Sequence, residues 1–251
     1  EVRGVHGVGL RTGDGTVVRN TYLHHNGQMG ISVSGGTGVL LENNEFAFNN
    51  TAGFAWGWEA GGAKFTRTEG LIVRGNHSHD NNGPGLWTDI DNDNTLYEDN
   101  LSENNDGPGI FHEISYSAVI RNNVVIGNGS PDDVWLWGSG ILIAASSDVE
   151  VYGNEVRNNA NGISGVQQER GDGRLGPHVI DNLNVYDNII ELGGGAMGVV
   201  EDADPTVFQR SIRFDRNIYE GDVGRDYRWE GERLTRRGWQ QAGFDDNGIW
   251  R

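Results

Sequence analysis

The chain has 251 residues with 40 glycines and no cysteine, and its formal net charge is −17. Without cysteine it has neither disulfides nor thiolate metal sites, and its acidity argues against nucleic acid or an anionic membrane surface as a partner. No apolar run is long enough for a membrane span, and because the first residues, EVRGVHGVGL, are not a signal peptide, we expect a mature or trimmed chain.

From the N-terminus to about residue 220, the chain repeats a short unit in which an asparagine recurs at one position. The shortest spacings between these asparagines are 23 and 24 residues, and the longer spacings add an insertion to that unit. Apolar and polar residues alternate within each unit, as in VEVYGNEV, which predicts short β-strands rather than helices. The aligned positions are Asn20, Asn44, Asn76, Asn100, Asn123, Asn154, Asn188 and Asn217.

A single unit of this kind cannot bury its apolar face, whereas stacked units share a continuous core. The aligned asparagines would then hydrogen-bond from coil to coil inside a tight turn. This repeat resembles the right-handed parallel β-helix proteins, specifically the pectin-lyase-like family with Asn-ladder coils, over about residues 9–220. The resemblance implies an all-β fold, a right-handed parallel β-helix of about eight coils with an inward Asn ladder. We assign residues 1–220 to this solenoid and residues 221–251 to a C-terminal cap over its last coil.

Two neighbouring units share an unusual frame: Gly-Pro-Gly, an apolar residue, an aromatic residue, any residue and an acid. GPGLWTD ends at Asp89, and GPGIFHE ends at Glu113. Alternation along the strand places both acids on the outer face, and parallel strands lie about 4.8 Å apart. The two carboxylates are therefore predicted to be neighbours, with Asp91 one pleat away. Such closeness indicates a raised pKa on one of them or a bound cation.

The side chains expected around the acids favour a carbohydrate site. Trp87 and Phe111 are predicted to point outward, and exposed aromatic faces are surfaces on which sugars pack. Aligning Gly62 with Gly85 places Lys64 outward beside Trp87. His112 alternates inward, which favours a hydrogen-bonded core histidine, although a twist of the strand could bring it to the groove.

Insertions in the longer units are predicted to wall this groove. Residues 53–62 contribute Trp56, Trp58 and Glu59, and residues 129–140 contribute Trp135 and Trp137. Loops on a rigid scaffold, one on each side of the acids, form a typical binding cleft. Local packing of these tryptophans within their loops is the competing interpretation. A third loop, residues 164–178, is assigned to neither side.

The favoured hypothesis is a glycan-cleaving enzyme, in the first place a glycoside hydrolase. Glu113 would be the acid and Asp89 the nucleophile or base, with Asp91 tuning Asp89. The resemblance implies an alternative, because pectate-lyase-like enzymes bind calcium through acids on these strands and use Lys or Arg as the base. In that case Asp89, Asp91 and Glu113 would hold Ca²⁺ and Lys64 would be the base. We rank the hydrolase first because few other basic residues are expected near the groove.

A non-catalytic glycan-binding or adhesive β-helix is the hypothesis from a different class. Tailspike-like and cell-surface modules share the repeat, and such a module would tolerate loss of its carboxylates. Each hypothesis has a carbohydrate as the partner. We therefore expect a secreted, extracellular or cell-surface protein.

Overall fold

The computed structural model describes residues 1–130, 135–221 and 226–251. Short strands stack coil on coil into three long sheets, so the predicted right-handed parallel β-helix is confirmed. Within these three sheets neighbouring strands are parallel, except that Tyr227–Trp229 and Glu232–Leu234 pair antiparallel at the C-terminal end. Within the described ranges, no helix is both long and apolar enough to cross a membrane.

The first sheet is built from the short strands that follow the asparagine turn of each coil. Its strands are Val2–Arg3, Tyr22–His24, Glu45–Ala47, His77–His79, Leu101–Glu103, Val124–Ile126, Glu155–Arg157, Ile189–Glu191, Ile218–Glu220 and Ile249–Trp250.

The second sheet contains the strands that follow the Gly-apolar pairs, and both acids of the repeated frame lie on it. Its strands are Val8–Thr12, Met29–Thr37, Gly61–Glu69, Leu86–Asp89, Ile110–Glu113, Ser139–Ala144, Asn161–Gln168, Met197–Asp202, Tyr227–Trp229 and Glu232–Leu234.

The third sheet closes each coil before the asparagine turn. Its strands are Val17–Arg19, Leu40–Glu42, Ile72–Arg74, Thr95–Glu98, Ala118–Arg121, Ser147–Tyr152, Asp181–Tyr186 and Ile212–Asp215. The remaining elements are the small hairpin Asp172–Gly173 and Gly176–Pro177, the helices Trp56–Glu59 and Arg236–Gln241, and the 3₁₀ turn Pro205–Gln209.

The asparagine ladder runs through seven of the eight predicted positions, from Asn44 to Asn217. Each side-chain amide donates to the next asparagine's Oδ1 at 2.9–3.1 Å. The same oxygen also accepts the backbone amide of the preceding ladder residue, as Asn123 does for Asn100. Buried turn groups are thereby paired, and the coils are held in register.

Asn20 is not part of this ladder, so that alignment was wrong by one residue. Asn20 has a positive φ of 51° and corresponds to Asn43, whose φ is 55°. Both residues occupy the left-handed position just before the ladder, which suits asparagine for a different reason. The ladder position in that coil is held by Thr21, whose backbone amide donates to Asn44 Oδ1.

A second asparagine ladder, which we did not predict, stabilises the turn after the first sheet. Its amides donate from one coil to the next at 2.8–3.0 Å. Because the alignment followed one asparagine per unit, this second column was overlooked. Its members are Asn26, Asn49, Asn81, Asn105, Asn128 and Asn159.

Candidate functional site

The two acids of the repeated frame lie side by side on the outer face of the second sheet. Strands Leu86–Asp89 and Ile110–Glu113 are parallel, and their register pairs Asp89 with Glu113, as predicted. Each acid is the last residue of its strand and is only 7% exposed. The chain turns away after each of them, because the next residue in both cases has a positive φ. The carboxyl groups therefore lie at the end of the strands, low in a cleft.

This cleft has a volume of about 480 Å³ and extends over several coils. The helix Trp56–Glu59 lies against Lys64, on the side where the strands begin. The segment 168–178 reaches Glu113 and Asp91, on the side where the strands end. The residues that line the cleft are Arg11, Ser32, Ser34, Gly57, Trp58, Glu59, Lys64, Thr66, Arg67, Asp89, Ile90, Glu113 and Arg170.

Asp89 is paired with a buried lysine. Lys64 Nζ lies 2.7 Å from Asp89 Oδ2 and also donates to the backbone carbonyl of Trp58 at 2.6 Å. The same ammonium lies 3.6 Å from the centre of the Trp87 ring, within cation–π distance. The second oxygen, Asp89 Oδ1, is buried and has no hydrogen-bond partner within the described part of the chain. A substrate hydroxyl or a water in the cleft would satisfy that oxygen.

Glu113 has a different environment. The Trp87 indole donates to its Oε2 at 3.2 Å, and Arg170 donates to its Oε1 at 2.7 Å. Burial raises the pKa of Glu113 and the nearby charge of Asp89 raises it further, while Arg170 and Lys64 offset part of this effect. The net pKa of Glu113 lies above its ordinary value. Of the two acids, Glu113 is therefore the one suited to carry a proton.

Asp91 does not stand beside this pair, contrary to the sequence expectation. Ile90 and Asp91 both have positive φ, and this turn directs Asp91 away from the cleft. Its Oδ1 accepts hydrogen bonds from the Arg174 backbone amide, His178 Nε2 and the Tyr116 hydroxyl. Although burial opposes it, these hydrogen bonds hold the pKa of Asp91 below its ordinary value. Asp91 thus anchors the segment that carries Arg170.

The aromatic pair Trp87 and Phe111 points outward as predicted, but it is not open to a sugar. The two rings stack with their centres 5.4 Å apart, and each residue is only 2% exposed. Leu136 and Trp137, from the predicted loop 129–140, pack over them in a separate apolar cluster. Residues 131–134 of that loop lie outside the described residues. The insertion therefore covers the aromatic pair rather than walling an open platform.

The tryptophans of the two insertions divide between different places. Trp58 is 83% exposed and lines the cleft together with Glu59, whereas Trp56 is half-buried and does not line it. Trp137 packs edge-on against the covered aromatic pair. Trp135 is 48% exposed and lines a second cleft farther along the solenoid. Of the four predicted tryptophans, Trp58 is the one placed to meet a ligand beside the acids.

His112 lies in the core, so it cannot contact a ligand in the cleft. Its Nε2 donates to the backbone carbonyl of Tyr116 at 2.7 Å, and its Nδ1 is 2.7 Å from the Thr88 hydroxyl. Because a carbonyl only accepts, the proton is on Nε2 and Nδ1 accepts from Thr88. Burial lowers the pKa of His112 to about 4. It is a neutral structural histidine.

Three arginines of the cleft were not predicted. Arg11, Arg67 and Arg170 line it together with Lys64, so the expectation of few basic residues near the groove was wrong. Arg11 is contributed by a distant coil, and Arg67 lies at a positive φ of 54° inside strand Gly61–Glu69, so the repeated frame gave no signal for either. The segment 164–178 was noted as an insertion, but its return path to Glu113 has no sequence signature.

The acids do not fit a calcium site. Lys64 holds Asp89, Arg170 holds Glu113, and Asp91 is turned away from both. Calcium requires six to eight oxygen ligands that converge on one point. Over residues 1–130, 135–221 and 226–251, no group of three or more His, Asp or Glu side chains could hold a metal ion.

Comparison with known proteins supports the architecture. The family model for the right-handed beta helix region matches residues 1–156. The solved structure of the Azotobacter vinelandii mannuronan C-5 epimerase AlgE6 A-module is similar, with a TM-score of 0.58 at 20% sequence identity. The similarity covers 94% of this chain and 57% of that structure, so this chain spans little more than half of it. No curated protein sequence matches this chain. Similarity at this level of identity shows the fold alone.

Proposed function

Because this chain belongs to the right-handed β-helix family, whose scaffold hosts many activities, we propose its function from the cleft: it is a carbohydrate-active enzyme that cleaves glycosidic bonds there. One observation carries the proposal. Asp89 and Glu113 are adjacent in one cleft, but Asp89 is paired with the Lys64 ammonium, whereas the pKa of Glu113 is raised. Two carboxyl groups whose surroundings differ in this way suit the roles of base or nucleophile and acid.

Glycoside hydrolysis uses both groups. Glu113 protonates the glycosidic oxygen as the bond to the anomeric carbon breaks, and Asp89 attacks that carbon or removes a proton from water. Water supplies the hydroxyl of the new chain end, and its remaining proton restores the acid. Adjacent parallel strands are about 4.8 Å apart, which favours the retaining geometry, in which the carboxyl groups are about 5 Å apart. The exposed Trp58 provides an aromatic surface for a sugar ring.

The decisive experiment replaces each acid by its amide. Glu113→Gln and Asp89→Asn should each lower cleavage of polygalacturonate, alginate or a neutral β-glucan by at least 10²-fold, while oligosaccharide binding is kept. Glu98→Gln is the matched control. Glu98 is also 7% exposed, but it lies on the third sheet between Arg74 and Arg121. Full activity in both amide variants would show that this acid pair is not the catalytic machinery, whereas binding without any cleavage by the wild type would leave a non-catalytic glycan-binding module.

A polysaccharide lyase acting on an acidic glycan is the second candidate, and the lining of the cleft favours it. Arg11, Arg67 and Arg170 add positive charge to the cleft of a protein whose net charge is −17. Uronate carboxylates are groups that arginine binds well. The similar solved structure is named as an epimerase of mannuronan, which also fits a polysaccharide substrate.

The geometry argues against Lys64 as the base of such a lyase. Its Nζ contacts Asp89, the Trp58 carbonyl and the Trp87 ring, so it reaches a substrate proton only by leaving these contacts. The two candidates separate on their products. A lyase makes an unsaturated sugar that absorbs in the near ultraviolet, whereas a hydrolase does not. If Lys64 were the base, Lys64→Ala would abolish formation of that product, and a calcium-dependent lyase would also stop in chelator.

The hydrolase and the lyase imply the same location of the protein relative to the cell, because both act on a polysaccharide. Polysaccharides of this kind are encountered outside the cell, so we extend the proposal to a secreted or cell-surface protein. Secretion of the full-length protein from its source cells, measured in the medium and in the surface fraction, tests this part.

A further inference from the structure

The outer face of the second sheet is closed immediately after Glu113. In the next coil, Leu142 and Ala144 continue the outward columns of Phe111 and Glu113. In the coil after that, Ser164 and Val166 continue them. These four residues are at most 1% exposed, although they point away from the core. A sugar chain therefore has no surface to lie on beyond Glu113.

The closure comes from an apolar wall built on these coils. Leu136 is fully buried and packs in one cluster with Leu142, Ala144, Val166 and Ala196. This cluster is separate from the core inside the coils. On the other edge, Arg170 bonds to Glu113 and to Gln168, at the end of the same covered strand.

The opposite direction is open. Toward the N-terminus, the column of Asp89 continues through Thr66 to Ser34, and both residues line the cleft. Thr66 is half-buried and Ser34 is exposed. The exposed Arg11 lies one coil farther. From the strand of Arg11 to that of Asp89 there are three strand spacings, which is roughly 14 Å of open sheet.

We propose that the cleft receives the end of a glycan chain and that the enzyme releases short products from that end. The bulk of the chain lies over the coils before Asp89, and the terminal sugar lies against the wall after Glu113. The inference rests on the proposed function and adds its mode of action. Cleavage adds one water across the terminal glycosidic bond, so each turnover releases one short sugar and leaves a shortened polymer.

The rival arrangement is a chain that passes over the wall into the second cleft. That cleft is lined by Trp135, Val200, Glu201 and Arg228, among others, and an exposed tryptophan suits a sugar ring. An enzyme of that kind would bind long chains in both clefts and cut them internally. We reject it because four outward residues, on two consecutive coils between the clefts, are buried.

The test follows product length and viscosity while polygalacturonate, alginate or a linear β-glucan is digested. We expect mono- and disaccharides from the first turnovers, with viscosity falling slowly. A broad mixture of long products with a rapid loss of viscosity would overturn the inference and leave the proposed function intact. If none of these polymers is cleaved, both the inference and the proposed function are contradicted.

Three variants test the inference further. Leu136→Ala removes part of the apolar wall and should therefore give longer products as well. Leu175 is exposed and lies outside the wall, so Leu175→Ala should give the same product lengths as the wild type. If Leu136→Ala does not fold, the product lengths from the wild-type protein alone decide between the two arrangements of the glycan chain. Trp135→Ala should leave the KM for long and short chains unchanged. A several-fold rise in KM for long chains alone would favour the rival arrangement.

Discussion

Glu113 and Asp89 are buried to the same extent, so the different roles that we propose for them depend on the groups that face them. Glu113 is surrounded by the Trp87 indole, the Asp89 charge and Arg170. Asp89 has an ammonium group in direct contact. Because both acids are 7% exposed, such neighbours set proton affinity more strongly than they would in water. In the proposed enzyme, the basic residues around the pair therefore set the proton affinity of the two acids as well as bind substrate.

Arg170→Ala should move the alkaline limb of the pH–activity profile to higher pH. In the proposed mechanism activity requires protonated Glu113, so it falls as pH rises through the pKa of that group. Arg170 lowers this pKa, and its removal therefore raises it. The profile of kcat/KM against pH measures the effect. Arg174→Ala, on the same segment but with an exposed side chain, is the control. An unchanged limb in Arg170→Ala would show that Glu113 is not the titrating acid.

His112 should make the protein less stable in mild acid. Its pKa is about 4 in the folded protein, against an ordinary value of 6.5, so the unfolded chain binds more protons between these values. Above pH 6.5 the protonation of His112 therefore does not reduce the free energy of unfolding. As pH falls toward 4, that free energy decreases by about 3 kcal/mol in total. Urea unfolding between pH 4 and 7 measures the slope. His112→Gln should flatten it and the exposed His6→Gln should not, and equal slopes in both would refute this account.

At the level of elements, the segment 168–178 depends on Asp91 for its position. Asp91→Asn keeps an oxygen for the Arg174 amide, His178 and Tyr116, whereas Asp91→Ala removes it. We expect Asp91→Asn to retain most activity and Asp91→Ala to lose roughly 10-fold or more, since misplaced groups near an active site are costly. Steady-state kinetics with thermal unfolding as a folding check measures both. Equal inactivation by the two changes would instead make Asp91 a catalytic acid.

The asparagine ladder should be sensitive at its middle. Asn123→Ala removes the Oδ1 that accepts from both the backbone and the side-chain amide of Asn100. Two buried donors are then unsatisfied, at about 1–3 kcal/mol each, so we expect a loss of about 3 kcal/mol. Chemical unfolding midpoints measure this loss. Asn184→Ala is the control, because within the described ranges that side chain bonds to neighbouring Asn182 alone and not to the ladder. Similar unfolding midpoints for the two variants would show that the ladder does not stabilise the fold.

The sequence predicted the strands and the acid pair because local periodicity determines both. A repeated frame fixes the register, so Asp89 and Glu113 could be paired without the structure. The path of an insertion is set by distant contacts, which explains why the cover over Trp87 and the approach of Arg170 were missed. Asn20 shows the remaining ambiguity, because asparagine suits both the left-handed position and the adjacent ladder position.

On the scale of the whole molecule, a stack of coils needs its last coil to be covered, since an exposed end would leave core side chains and strand edges in water. Residues 226–251 lie at this end. Strands Tyr227–Trp229 and Ile249–Trp250 continue the second and first sheets, and Asp245 extends the ladder by accepting from Asn217. The Trp239 indole also donates to Asp245, so residues 226–251 and the ladder share one buried carboxylate.

Trp239→Ala should therefore destabilise the entire solenoid. Trp239 is fully buried against Tyr227 and Phe244, and such a truncation typically costs about 3–5 kcal/mol. Trp58→Ala is the matched control, because that side chain is 83% exposed and its contact with Lys64 uses the backbone carbonyl. Calorimetry should show one transition at lower temperature for Trp239→Ala and no shift for Trp58→Ala. Two separate transitions would mean instead that residues 226–251 fold independently, and the shared ladder would then not couple them to the preceding coils.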